Sequence, residues 1–220
     1  MNLIAFKYGE TEINEKMAFQ NGDKNVKIPI GLLFFLIETE NRKILVDVGC
    51  DSMPGYDVSN FKKPVELLEE YGVHRDEITD VLITHAHNDH IGCLHYYTHA
   101  NVYLQEDEFK VAGARIKETQ NVCTFKDSID ICDKIVMRHI GGHSIGSSIV
   151  LIEDSKKEYV LCGDECYLKR NFLEHKPTGS SYCLERSISF VDTYSSDIYE
   201  KILFHDINLV EKTGLKKILS

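Results

Sequence analysis

The sequence lacks the features that would tie it to nucleic acid, to a membrane or to a disulfide framework. Its 25 basic residues are outnumbered by 35 acidic ones, for a net charge of −10, and lysines and arginines never run beyond two in succession. Such a chain has little sequence-independent attraction to polyanions or anionic lipid, and no nucleic-acid motif is visible. The longest apolar stretch, Ile28 to Ile37, is interrupted by Pro29 and Gly31 and is far short of the roughly 20 residues a spanning helix needs. Met1 to Tyr8 has no charged start, apolar core or small-residue cleavage site. The expectation is a cytoplasmic protein with neither membrane nor nucleic-acid partner. Seven cysteines form no CxxC pair, and an odd count fits reduced core thiols better than paired ones.

What is present is an ordinary globular composition, 43% hydrophobic and 27% charged. A length of 220 residues favours one domain, spanning 1–220, with a core large enough to enclose a site. Strands are expected at Leu3 to Phe6, Gly31 to Glu38, Lys43 to Val48 and Asp80 to Thr84. Leu32 to Ile37 is almost wholly apolar, as in a strand covered on both faces. Pro64 to Tyr71 places Val65, Leu67, Leu68 and Tyr71 at helical spacing, with proline in the first turn and Gly72 as the stop. Asn101 to Leu104 reads as a strand and Glu106 to Ala114 as a helix, while Gln120 to Asp133 is undefined. Lys134 to Ile140, Ser148 to Glu153, Glu158 to Cys162 and Ile198 to Phe204 complete an alternation that points to an α/β or mixed architecture. Leu36 to Asp47 and Leu151 to Cys162 align without a gap, and each approaches an acid, Asp47 or Asp164. Two similar halves facing one another would produce this echo, as would chance.

Chemistry concentrates in THAHNDH, residues 84 to 90, directly after Val81, Leu82 and Ile83. Alternate residues of an extended segment point the same way, so His85 and His87 can share one ion. Asp89 is placed to cap a short helix running into Ile91, which would turn Asp89 and His90 toward a second position. Burying three imidazoles and a carboxylate without a shared partner would leave costly unsatisfied groups. One loop rarely completes two coordination spheres, so further ligands are expected at other strand ends. His143 in GGHSIGS, Asp164 in LCGDECY and His205 in KILFHD each follow an apolar run. Ligands beyond strand ends meet at one edge of a sheet.

The set HAHNDHIG, GGHS, CGDE and FHD, in this order, resembles the metallo-β-lactamase superfamily across nearly the whole chain. The resemblance implies a four-layer αββα sandwich, two mixed sheets between outer helices. It also implies that His85, His87 and His143 hold one ion, that Asp89, His90 and His205 hold the other, and that Asp164 bridges both. Within the superfamily the chain is most similar to the N-acyl-homoserine lactonases. KIPIGLLFFLIETENRKILVDVG resembles the segment leading into their DTG motif, GGHSIGS their PGHSPGH and DECYLKRNF their DASYTKENF. That match places Tyr167 where a lactonase tyrosine touches the substrate carbonyl. GGHS lacks the leading proline, a change expected to matter little because glycine permits the same turn. Cys50 to Phe61 and Glu10 to Lys27 are shorter than their lactonase counterparts, and there is no tryptophan to line an acyl pocket.

The reaction so implied is hydrolysis of a lactone or related ester, a small-molecule substrate, by a hydroxide bridging two divalent ions, zinc in the first instance, with iron, manganese and cobalt compatible. Tyr167 would donate to the oxyanion and Asp89 would pass a proton to the leaving alkoxide. Asp47 would orient a ligand imidazole through its free N–H. Cys162 and Cys166 bracket Asp164 but are expected to be structural thiols, since a full nitrogen and oxygen set already exists. His139 is expected to face away or into solvent. The protein is expected to act as a monomer or homodimer. Thioester hydrolysis of the glyoxalase II kind uses the same seven ligands, phosphodiester cleavage suits the charge less well, and a di-iron redox role would usually place glutamate at His87.

Overall fold

The computed structural model describes residues 1–116, 121–155 and 157–220. Gln120, at the head of the undefined stretch, and Lys156, within the second hairpin of the internal echo, lie outside the described residues. The chain runs through β1 (Asn2–Asn14), a single turn α1 (Glu15–Ala18), β2 (Lys27–Glu38), β3 (Lys43–Val46), α2 (Pro64–Tyr71), β4 (Asp80–Leu82), α3 (Asn88–Ile91), β5 (Asn101–Gln105), α4 (Glu106–Ala112) and β6 (Asn121–Phe125). There follow β7 (Ser128–Cys132), β8 (Ile135–His139), β9 (Ser148–Glu153), β10 (Glu158–Leu161), α5 (Lys169–Leu173), α6 (Leu184–Tyr194), β11 (Tyr199–Ile202) and β12 (Gly214–Leu219).

Seven strands form one sheet in the order β12-β1-β2-β3-β4-β5-β6, and five form the other in the order β11-β10-β9-β8-β7. Side-chain alternation shows how they stack. Leu33, Phe35 and Ile37 of β2 pack in one cluster with Met137, Val150 and Leu161 of the smaller sheet. Leu32, Phe34 and Leu36, on the opposite face, pack with Leu67 and Leu68 of α2. In β9, Val150 and Ile152 join the cluster between the sheets, whereas Ile149 and Leu151 face Phe190 and Val191 of α6. Both sheets are therefore covered twice, giving the αββα sandwich, and the unbroken apolar run of β2 is what such double burial requires. The two hairpins of the internal echo are β2–β3 in the larger sheet and β9–β10 in the smaller, each antiparallel.

Topology gathers the chemistry at one edge. β3, β4, β5 and β6 are parallel neighbours, so Asp47, the 84–90 segment and α4 all leave the larger sheet on the same side. β8 and β10 each run antiparallel to β9, and β11 runs parallel to β10, so His143, Asp164 and His205 follow strands of one common direction. Among the described residues no helix is long and apolar enough to cross a membrane.

Candidate metal centre

Four of the five site imidazoles are held from behind through Nδ1. Asp47, just past β3 at a φ of 55°, accepts the Thr84 N–H at 2.8 Å and the Thr84 hydroxyl at 2.7 Å, and its Oδ2 lies 2.6 Å from His90 Nδ1. The Thr84 hydroxyl oxygen in turn sits 3.1 Å from His85 Nδ1. The Ser180 and Gly31 carbonyls, which can only accept, stand 2.8 and 2.9 Å from Nδ1 of His143 and His205. Each contact assigns the ring proton to Nδ1 and leaves an Nε2 lone pair facing inward. His87 enters the other way round, with Nδ1 at 3.0 Å from both His85 Nε2 and His143 Nε2.

The inward atoms fall into two groups, each with all its ligand atoms within 4.8 Å of one another: His85, His87, His143 and Asp164, and beside them Asp89, His90 and His205. Asp164 stands between. Its Oδ2 is 3.8 and 3.5 Å from Nε2 of His85 and His143, while its Oδ1 is 3.1 and 3.0 Å from Nε2 of His90 and His205. Those last three atoms are buried and close, yet none is aligned for a hydrogen bond. In the first group two unprotonated nitrogens compete for at most one proton on His87. Buried polar atoms are normally partnered, so convergent lone pairs that cannot satisfy one another fit a cation.

Burial, followed by the neighbouring His90, holds His85 well below the usual imidazole range, and burial lowers His143 to about 4. Both are thus neutral ligands at pH 7. Burial acts in the same direction on His90 and His205, but Asp164, with Asp89 nearby, outweighs it and raises both. Asp164 is itself kept well below the carboxylate range, its burial being overcome by His205 and His90.

The cluster floors a cavity of about 310 Å³ whose far wall is apolar, formed by Ile13, Met17, Ile30, Met53 and Pro54 with Tyr56. Tyr167 borders the same cavity, its ring stacked on His205 at 4.9 Å between centroids. Ile13, Met17 and Tyr56 also border a second, more polar depression of about 640 Å³ that includes Glu10, Glu12 and Asp57. Segments 10–27 and 50–61 thus both contribute walls to the site, together with Ile30.

All the residues expected at the site come together here, but two local expectations change. His87, not Asp89, is the cap residue of α3, and it makes no side-chain cap bond; Asp89 lies inside the first turn. Gly141 has a φ of 72°, a left-handed conformation closed to proline, so GGHS does not reproduce a proline-led turn. His139 lies outside both ligand groups and is half-buried, its Nε2 3.0 Å from the Ile145 carbonyl in the GGHSIGS loop. Cys162 and Cys166 are fully buried against Phe172 and Phe190 and belong to neither ligand group. Sequence reading missed the buried Glu165, whose Oε1 accepts from the Gly142 and His143 N–H groups at 3.2 and 3.3 Å and from the Ser147 hydroxyl. It also missed the carbonyl of Ser180, since a backbone acceptor has no signature in the side-chain sequence.

A family model described as the metallo-beta-lactamase superfamily matches residues 33–106, from β2 into α4. Among curated proteins, the N-acyl homoserine lactonase of Bacillus cereus is 25% identical over 208 residues, spanning 83% of each chain. The N-acyl homoserine lactonase AiiB of Agrobacterium fabrum is 26% identical over 137 residues, and there the match spans only about half the length of the relative, 49%, and 50% of this chain. Among solved structures, an N-acyl homoserine lactone hydrolase with N-hexanoyl-L-homoserine at its catalytic metal centre superposes with a TM-score of 0.83 at 19% identity, covering 96% of this chain and 95% of that one. AidC, described as a dizinc quorum-quenching lactonase in complex with a product, gives 0.72 at 14% identity, covering 99% and 94%. At such identities the structural likeness speaks for the fold. The family match lies across the segment that carries His85 to His90, and the chain that carries it is folded as the same sandwich as these neighbours.

Proposed function

We propose that the protein is a metal-dependent hydrolase, one domain over 1–220, that opens a lactone or closely related ester, with an N-acyl homoserine lactone as the substrate class. The observation that carries this reading is the convergence of seven inward-facing ligands in two groups beneath a cavity with one apolar wall. His85, His87 and His143 would hold one divalent ion, Asp89, His90 and His205 the other, and Asp164 would contribute an oxygen to each. Zinc fits this nitrogen and oxygen set, and so do iron, manganese and cobalt. When bound, the pair of ions supplies a hydroxide nucleophile near neutral pH and polarises an ester carbonyl.

The chain's own residues do the rest. The apolar wall around Met17 and Met53 holds the acyl portion, and the polar depression beyond Ile13 and Tyr56 limits how far an alkyl tail gains by extending. The Tyr167 phenol is pushed well above its usual range by burial, then by Asp164 and Asp89, so it keeps its proton and can donate to a developing oxyanion. Asp89, on the rim of the cavity, is placed to carry a proton to the leaving alkoxide.

Relatives named as N-acyl homoserine lactonases support the choice of substrate. The test is turnover of acyl lactones of graded chain length, beside a glutathione thioester and bis(p-nitrophenyl) phosphate, by protein of measured metal content. Lactone hydrolysis should dominate. Tyr167→Phe should lower kcat by about 10²-fold with metal content intact, the usual scale for losing one oxyanion donor. A fully metallated protein that leaves every lactone untouched, or a Tyr167→Phe protein with unchanged kcat, would overturn the corresponding part of the reading.

A further inference from the structure

Glu108 belongs to neither ligand group, yet its carboxylate bonds to both loops that carry three of the ligands. It lies in α4 and is 1% exposed. Its Oε2 accepts the Ala86 N–H at 2.8 Å, and Ala86 is the residue between His85 and His87. Its Oε1 accepts the Gly146 N–H at 3.0 Å and the Ser144 hydroxyl, both from the loop that carries His143. One loop leaves the seven-stranded sheet and the other leaves the five-stranded sheet. A single carboxylate therefore links, across the sandwich, the two segments that supply His85, His87 and His143.

A second observation shows that the contact is built into the backbone. Gly146 packs so closely on the start of α4 that an added Cβ would meet the Gln105 side chain and lie 2.9 Å from the Glu108 nitrogen. Stability alone is a weak reason to keep a charge there, because a buried carboxylate carries a desolvation cost that an apolar side chain of similar size would avoid. What an apolar residue cannot do is fix two loops at once through directional bonds.

We infer that Glu108 is a positioning residue for the group formed by His85, His87 and His143, setting the distance between their two loops; this rests on the metal reading above. The conservative Glu108→Gln change keeps size and shape but leaves a single acceptor oxygen. Its amide NH₂ must then face a backbone N–H, of either Ala86 or Gly146, so one loop is released whichever way the amide turns.

The test is titration of the metal-free protein with Co²⁺, following the visible d–d bands and the stoichiometry, alongside thermal unfolding of the same metal-free samples. Wild type should take up two equivalents. Glu108→Gln should bind one of them roughly 10–100-fold more weakly, with altered bands for that equivalent only. Ser144→Ala, a half-buried change that leaves both backbone bonds in place, should give a smaller weakening of the same equivalent and keeps the test open if Glu108→Gln folds poorly. A lowered unfolding temperature with both equivalents bound as in wild type would make Glu108 merely structural and overturn the inference. A wild type with two cobalt sites and both variants identical to it would remove this inference alone, whereas a wild type that takes up no cobalt would remove the metal reading as well.

Discussion

The two candidate ligand groups lie on either side of Asp164, yet they are built from opposite electrostatics. In one, His85 and His143 are lowered by burial and stand neutral, braced by uncharged partners at Nδ1 and by Glu108 behind the loops. In the other, His90 and His205 are raised by Asp164 and Asp89, and Asp47 backs His90 directly. The first is a nitrogen-rich pocket in which His85 and His143 offer unprotonated nitrogens at neutral pH. The second is a carboxylate-rich pocket in which protons compete for the same lone pairs. On the metal reading proposed above, the two groups would therefore differ in how readily they fill.

The change that should abolish that distinction is Asp164→Ala, because each oxygen of Asp164 faces a different group. Both sites should weaken together and lactone turnover should fall by about 10³-fold or more, a loss of roughly 4 kcal/mol in transition-state stabilisation. His205→Ala, by contrast, should leave the nitrogen-rich site filled, with cobalt stoichiometry falling from two to one. If Asp164→Ala retains one tight site, the carboxylate does not serve both groups.

Acidification should separate the groups more gently. A raised imidazole must lose its proton to bind a cation, so affinity at the His90 and His205 site should begin to fall as pH drops through the neutral range. His143, lowered to about 4, stays unprotonated until far more acid conditions, and the first site should hold its metal across that window. Calorimetric titrations at pH 8 and pH 6 should therefore resolve two events with different pH slopes. Parallel slopes would mean that the contrast between the groups disappears once metal enters.

Much of this centre was readable because of what imidazoles cost when buried alone, although only His85 and His90 of the clustered three are buried and His87 stays exposed. The cluster from His85 to His90 behind an apolar strand demanded partners, and strand-end His143, Asp164 and His205 were the available ones. Helix α2 matched its expected bounds, with Pro64 in the first turn and Gly72 at a φ of 97° behind it. The apolar pattern predicts β1 only over Leu3 to Phe6, because Lys7 interrupts it. Lys7 is in fact fully buried, its amine bonded to Glu10 and to the carbonyls of Ile207 and Glu211, some 200 residues away in sequence. α6 escaped notice because its buried stripe of Ser187, Phe190, Val191 and Tyr194 begins on a serine. The undefined stretch became β6 and β7, which belong to different sheets despite their short connection, a crossing that no local pattern encodes. Glu108 was hidden among Glu106 and Asp107, where acids at a helix start already have a sufficient explanation in the helix dipole.

The smallest effect on the chemistry should come from the residues that look nearest to it in sequence. Cys162 and Cys166 flank Asp164, but the 3₁₀ turn from Gly163 to Glu165 turns the acid toward the ligands and both thiols into the core beneath α6. Burial raises both thiols above the usual range, so they stay protonated in the core, away from either ligand group. Cys162→Ala should cost about 1 kcal/mol of stability, the typical scale for a small buried truncation. It should leave cobalt stoichiometry, d–d spectrum and kcat as in wild type. A shifted charge-transfer band in the near ultraviolet would reveal sulfur ligation and draw the boundary between core and centre on the other side of Cys162.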